Sequence, residues 1–193
     1  MLNQHQTIKD NIKKFNKPNP LADYLIPFIE GKKEVCIFDL GSGPYSVIGS
    51  YFEEVDLHIH HMDNQDFSSF WKKYNGYPLV PIIHVSMENL PSLDHQADLV
   101  VCINALDHTK DAHAAVKEMI RVCKPGGWVY IECNLDQKDS SGSGHYWNAK
   151  ESGVFTNGIA LFDLNNFGFE IKYIDNGGEK RYNKIIATLK KND

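Results

Sequence analysis

The sequence contains no apolar run approaching the roughly 18 residues that a membrane-spanning helix needs, which excludes a spanning segment. The first twenty residues, MLNQHQTIKDNIKKFNKPNP, are polar throughout and lack an apolar stretch followed by small residues, so no secretory signal is read and a cytoplasmic location is expected. Cysteine is scarce. Cys36, Cys102, Cys123 and Cys133 form no CxxC pair and no metal-type spacing, and three of them fall in strand-like runs, where a reduced thiol acts as a small core hydrophobe. Positive charge is not in excess either: 20 Lys and Arg stand against 25 Asp and Glu, for a formal net charge of -5. Phosphate binding needs a basic face, and no such cluster is visible, which argues against nucleic acid as the main partner. Internal repeats and low-complexity tracts are absent.

What is present fits one ordinary globular domain over 1–193, with 42% hydrophobic and 23% charged residues. Ile8, Ile12 and Phe15 recur at helical spacing, and Asn19-Pro20 predicts a second helix start, with Pro27 breaking or kinking that helix. Residues 1–34 are thus expected to form a helical cover. An alternation then begins. Strands are expected at Val35–Phe38, Leu57–Met62, Leu79–Val85, Asp98–Ile103 and Trp128–Cys133, with helices at Pro44–Glu54, Phe67–Tyr74 and Asp111–Val122 between them. Lys124-Pro125-Gly126-Gly127 predicts a tight turn into the fifth strand. A short helix is expected near Leu161–Asn166. Two further β-rich runs, Phe169–Ile174 and Tyr182–Leu189, flank the hairpin signal Asp175-Asn176-Gly177-Gly178. The fold class is therefore α/β: a Rossmann-like, doubly wound, mostly parallel seven-stranded sheet closed by a C-terminal antiparallel hairpin.

In an open α/β sheet the ligand lies beyond the carboxyl ends of the strands, so the residues just after each strand are the ones to read. Here they are Asp39, Gly41 and Gly43; Asp63; Ser86, Met87 and Glu88; Asn104, Asp107 and His108; and Asn134 and Asp136. Asp39 and Asp63 stand at the separation that places an acidic residue against a ribose held over the first glycine turn. A dinucleotide fingerprint would need glycine at position 46, where the chain has Ser46, and Pro44 removes an N–H that a pyrophosphate would use. Both departures disfavour a nicotinamide cofactor and favour an adenosine without phosphate, such as S-adenosylmethionine.

The stretches FDLGSGPYS, Asp63, SMENLP, ADLVVCINALDH and KPGGWVYIE, in that order, resemble the class I S-adenosylmethionine-dependent methyltransferases, particularly the methyltransferase type 11 group. The likeness runs from about Val35 to Glu132. It implies S-adenosylmethionine as cofactor, with S-adenosylhomocysteine as product. It further implies that Asp39, Gly41 and Gly43 line the methionine end, that Asp63 binds the ribose beside Asn64, that Met87 and Glu88 border the adenine, and that Asn104 lies beside the methionine moiety. Two positions depart from the family pattern: Tyr45 where a third glycine is common, and Ser86 where an Asp often meets the adenine.

Methyl transfer needs an aligned nucleophile, and a base only when that nucleophile is poor. His108 is the first candidate for such a base, with Asp107, Asp136 and His145 as competitors. Taken alone, His108 is more often a helix-entry or packing residue. Segment 134–158, polar yet carrying His145, Tyr146, Trp147 and Phe155, reads as an acceptor-binding loop, although Tyr146 and Trp147 would equally cap the core. His58 and His60 share a strand face and His61 points away, so solvated strand histidines are expected. His108 and His113 are wrongly spaced for one helical face, and no metal site is expected. The acceptor is read as a small polar metabolite, a sugar or other hydroxyl compound, with neither nucleic acid nor membrane as partner and a homodimer left open. Two other functions stay open: a catalytically silent cofactor-binding module or partner subunit, and a nicotinamide-dependent oxidoreductase.

Overall fold

In the computed structural model, residues 4–135, 144–177 and 182–192 are described. Helix α1 (Gln4–Phe15) and a 3-10 segment (Asp23–Phe28) precede the strand β1 (Glu34–Leu40). Strand β2 (Asp56–Asp63), helix α2 (Ser68–Tyr74), strand β3 (Ile83–His84), strand β4 (Ala97–Ile103), helix α3 (Ala112–Val122) and strand β5 (Cys123–Asn134) follow. Three short strands come next, β6 (Asn148–Ala149), β7 (Val154–Thr156) and β8 (Leu161–Asp163), and then β9 (Glu170–Ile174) and β10 (Lys184–Lys190). The main sheet has seven strands in the order β3-β2-β1-β4-β5-β10-β9. All its pairings are parallel except those of β10 with β5 and with β9. This is the α/β sheet that the sequence predicts, closed by the antiparallel β9–β10 pair.

The apolar runs form the central strands because both of their faces are covered. On one face Leu21, Leu25 and Ile29 pack on Val35, Ile37, Leu99, Val101 and Tyr130. On the other, α3 buries Ala112, Ala115, Val116, Met119 and Val122 against Val100, Cys102, Val129 and Ile131. Asp111 caps α3 by accepting from Ala114 N at 2.9 Å. At the far end Lys191 Nζ donates to the carbonyls of Ile120 (2.7 Å) and Cys123 (2.8 Å), where a cation suits the helix dipole.

Several expectations need correction. No helix forms over 44–54. The backbone there pairs instead with the segment before β1: Leu21 N donates to Tyr51 O, Ala22 N to Ile48 O and Ser50 N to Asn19 O. Gly49, at φ 94°, approaches Pro20 so closely that a β-carbon would lie 2.1 Å from its carbonyl oxygen. Pro20 therefore pairs with Tyr51 rather than opening a helix, and the second N-terminal helix is reduced to the 3-10 segment that contains Pro27. The third strand shrinks to Ile83–His84, since Pro81 removes a donor from the middle of the expected Leu79–Val85 run. The Lys124–Gly127 turn is absorbed into β5 as an irregularity, with Ala97 opposite Cys123 and Leu99 opposite Trp128. In place of a helix near Leu161–Asn166 there is β8, followed by a 3-10 segment (Leu164–Phe167) that Asp163 caps through Asn165 N. Segment 134–158 is not a loop throughout. Asn148–Ala149 and Val154–Thr156 belong to a three-stranded antiparallel sheet with β8, and Trp147, Ala149 and Phe155 are buried in the main core. Residues 136–143, including Asp136, and 178–181, including Gly178 of the expected hairpin turn, lie outside the described residues.

Candidate functional site

β1 lies between β2 and β4, so the crossovers leave it in opposite directions and the carboxyl ends of β1 and β4 flank a crevice. The glycine turn after β1 shapes its floor. Gly41 and Gly43 both have φ 68°. Gly41 N donates to Met62 O at 2.8 Å, and Gly43 N donates to Asp63 Oδ2 at 3.0 Å. Asp63 is 8% exposed, and its Oδ1 accepts from Gln65 N at 2.9 Å. The carboxylate thereby fixes both the turn and the chain beyond β2, and each oxygen keeps acceptor capacity for a ligand hydroxyl.

A cavity of about 250 Å³ opens above this floor. Gly41, Gly43, Asp63, Asn64, Met87, Glu88 and Asn104 line it, together with His108. An adjoining hollow of about 240 Å³ is lined by Asp39, Gly41, Gly43, Tyr45 and Asn104. Together they reach the size of small-molecule sites, roughly 300–1,000 Å³. A larger hollow of about 950 Å³ lies between α2 and residues 75–84 and shares Gln65 and Phe67 with the first. Few of the strand-end residues reach it.

The side chains are fixed from below. Asn104, at φ 49°, donates its N–H to Glu132 O (2.7 Å), and its Oδ1 accepts from Asn134 N (2.9 Å), which ties the ends of β4 and β5 together. Glu88 Oε1 accepts from Lys110 N at 2.6 Å and Asp111 N at 3.2 Å, so this carboxylate also holds the entry to α3. Ser86 Oγ accepts from Glu88 N at 3.2 Å. Tyr45, in place of a third glycine, stacks on Phe15 at 6.2 Å and thus pins α1 beside the turn.

Asp39 reveals a residue that the sequence reading missed. It is 3% exposed, and its Oδ2 lies 2.9 Å from Nδ1 of His61, itself 5% exposed. His58 and His60 are exposed as expected, but His61 is a buried partner of Asp39 rather than a solvated histidine. The opposite parity of His61 along β2 was the signal.

Three of the four catalytic candidates, Asp107, His108 and His145, converge; Asp136 lies outside the described residues. His145 Nδ1 lies 2.5 Å from Asp107 Oδ2, and the rings of His108 and His145 are 4.1 Å apart at an interplanar angle of 37°. His108 Nδ1 lies 3.1 Å from Gly144 O, an acceptor to which it can only donate, and Nε2 takes no part in this bond. Asp107 is 4% exposed, and its Oδ1 is buried without a hydrogen-bond partner among the described residues. His113 instead faces the rings of Phe162 and Phe167. Burial pushes the thiols of Cys102 and Cys133, which lie behind this end of the sheet, well up from their ordinary value, as core residues. No helix among the described residues is long and apolar enough to cross a membrane.

Residues 38–131 match the family model described as a methyltransferase domain. No curated protein matches the chain significantly. Among solved structures, the chain is similar to a putative methyltransferase of Haloferax volcanii in complex with a methyltransferase activator, at TM-score 0.59 and 13% identity over 97% of this chain and 95% of that one. It is also similar to a putative methyltransferase of Bacillus halodurans (TM-score 0.56, 15% identity, 88% and 98% covered). A third is the 1,6-didemethyltoxoflavin-N1-methyltransferase of Burkholderia thailandensis, solved with 1,6-didemethyltoxoflavin and S-adenosylhomocysteine (TM-score 0.53, 14% identity, 83% and 72% covered). The structural likenesses give the sheet order and the family model gives its central strands. On these grounds residues 38–131 are similar to a methyltransferase domain, carried on a Rossmann-like α/β fold that the chain shares with solved methyltransferases.

Proposed function

We propose that this protein transfers the methyl group of S-adenosylmethionine to a hydroxyl of a small polar metabolite, of which a sugar is one example. One observation supports the reading most: residues from the ends of β1, β2 and β4, and from the segment after β3, line a single cavity that has His108 on its rim. In this reading Asp63 takes the ribose hydroxyls beside Asn64, and Met87 and Glu88 border the adenine. Asp39, Gly41, Gly43 and Asn104 flank the methionine end. His108 then faces the methyl group, with Asp107 and His145 behind it, and segment 144–158 forms one wall of the acceptor site.

The chemistry asks little else of the protein. The acceptor oxygen attacks the methyl carbon, the carbon–sulfur bond breaks, the sulfonium becomes a neutral thioether, and the hydroxyl proton leaves. Alignment of oxygen, carbon and sulfur supplies much of the rate. A hydroxyl also needs help losing its proton, and the Asp107–His108–His145 cluster is placed to give it.

The test is calorimetric titration of S-adenosylhomocysteine into wild-type protein and Asp63→Ala, followed by an acceptor screen that scores S-adenosylhomocysteine release. Wild-type binding that weakens about ten-fold or more in the variant is expected, as for a lost hydrogen bond to a charged group. Absence of binding to wild-type protein would overturn the cofactor reading. Turnover of no hydroxyl acceptor, beside good binding, would leave a cofactor-holding module instead.

A further inference from the structure

We propose that Asp107, His108 and His145 form a binding site for one divalent transition-metal ion of the zinc or cobalt type. What the ion does there rests on the methyltransferase reading above, but whether it binds does not. The three residues offer one carboxylate oxygen and two imidazole nitrogens, and these atoms all lie within 4.8 Å of one another. Imidazole suits zinc, cobalt, nickel and iron rather than magnesium or calcium, and two histidines with one carboxylate leave coordination positions open.

Three features set the cluster apart from an ordinary hydrogen-bonded group. First, Asp107 is almost fully buried, yet its Oδ1 has no partner among the described residues, an arrangement costly for a carboxylate unless something else takes up that oxygen. Second, two imidazoles from segments 37 positions apart stand ring to ring at 4.1 Å, so that a single cation could take a nitrogen from each. Third, His108 carries the outer contact that metal-binding histidines usually show: Nδ1 is held by a backbone carbonyl, that of Gly144, which leaves Nε2 for an ion. The proton between His145 Nδ1 and Asp107 Oδ2 is the one an ion would displace. With bonds of about 2.0–2.2 Å, ligand atoms around zinc sit roughly 3.4 Å apart, so the cluster closes by about an ångström on binding.

The position gives the ion a use. His108 lines the cofactor cavity, so an ion it holds faces the acceptor side of the methyl group. An acceptor hydroxyl bound in an open position would lose its proton more readily, because a bound cation lowers the pKa of coordinated oxygen. The favoured acceptors are then hydroxyl compounds able to ligate a metal, such as vicinal diols and α-hydroxy acids.

The experiment is titration of Co2+ into chelator-treated full-length protein, followed by visible absorption, with Zn2+ competition. It is run on wild type, His108→Ala, His145→Ala and the control His58→Ala, whose histidine is exposed on the far part of β2. Circular dichroism melts establish that each variant folds, and Asp107→Asn replaces either cluster variant that does not. One equivalent of Co2+ giving ligand-field bands, lost or weakened at least ten-fold in the cluster variants and unchanged in His58→Ala, is the expected result. Wild-type binding weaker than about 1 mM, or bands that persist in the cluster variants, would overturn the proposal. A parallel S-adenosylhomocysteine titration separates the two readings. Cofactor binding without cobalt sinks the metal site alone, whereas cobalt without cofactor binding sinks the methyltransferase reading and leaves the metal site standing.

Discussion

Gly41 and Gly43 share the same backbone conformation but have different surroundings, and that difference fixes what an alanine at each must do. Both sit at φ 68°, where a β-carbon costs roughly 1–2 kcal/mol. At Gly41 the added carbon would lie 2.2 Å from Ala105 Cβ and 3.1 Å from Met87 Cε, so overpacking adds about 1–3 kcal/mol to the strain. At Gly43 nothing lies within 4 Å, because the carbon would enter open space beside the cavity that this residue lines. Gly41→Ala is therefore expected to lose about 2–5 kcal/mol of stability and Gly43→Ala only about 1–2, measured by urea unfolding at pH 7. Calorimetry with S-adenosylhomocysteine should reverse the order per unit of stability lost: Gly43→Ala binds at least about ten-fold more weakly while remaining folded. The double variant Gly41→Ala with Ala105→Gly should recover about 1–3 kcal/mol, since it removes the colliding carbon and leaves the φ strain in place. Equal stability loss at the two glycines, or no recovery in the double variant, would refute the close approach of the β1 turn to the end of β4.

Other outcomes follow from the core and its base. Asp98 accepts from Lys32 Nζ, Lys124 Nζ and Cys36 N. Burial acts to raise its pKa, but the bonds from Lys124, Lys32 and the Cys36 N–H outweigh it and hold the carboxyl below its ordinary value. A depressed carboxyl stabilises the fold above its unfolded pKa of about 3.9 and loses that contribution as pH falls through the folded value. Since both lysines are a third or more exposed, solvent screening limits the effect. Asp98→Asn should cost about 1–2 kcal/mol at pH 7, and the gap to wild type should close below about pH 4 in denaturant titrations at both pH values. Burial also raises the thiols, that of Cys123 to about 11, so a thiol reagent at pH 8 should label at most Cys36 in the native state and all four cysteines in urea; rapid labelling of two or more native thiols would contradict the packing. Trp147→Phe removes the Nε1–H bond to Thr109 O, 2.9 Å long, and should lower stability by about 1–3 kcal/mol in thermal or urea melts.

The strand ends were readable because the signals there are local. Apolar runs mark where β1 and β4 stop, Gly41, Gly43 and Asn104 follow them, and Asp63 closes β2, so a rule about sheets is enough to gather them on one side of the molecule. Position 44–54 misled for the opposite reason. Its Val47-Ile48 pair and Pro44 fit a helix start, but Gly49 serves a contact with Pro20 that no neighbouring residue announces. The His61–Asp39 pair was half visible, since strand parity separates His61 from His58 and His60 while saying nothing of what waits on the other face.

The meeting of Asp107 with His145 shows where local reading ends, and also why the fold carries its small second sheet. The two residues are 38 positions apart, and nothing in their spacing brings them together. What does so is backbone: Tyr146 N and Trp147 N both donate to Asp107 O, at 2.7 and 3.1 Å, and the Trp147 indole donates to Thr109 O. These bonds clamp residues 145–147 to the segment after β4. The next residues, Asn148–Ala149, then pair with β7, which pairs with β8, and Ala149, Phe155 and Phe162 anchor that sheet in the main core. A histidine on a free loop would pay the full entropy of being placed beside a buried carboxylate. Here the three short strands have already ordered it, so the cluster is preorganised by packing that lies outside the strand-end cavity.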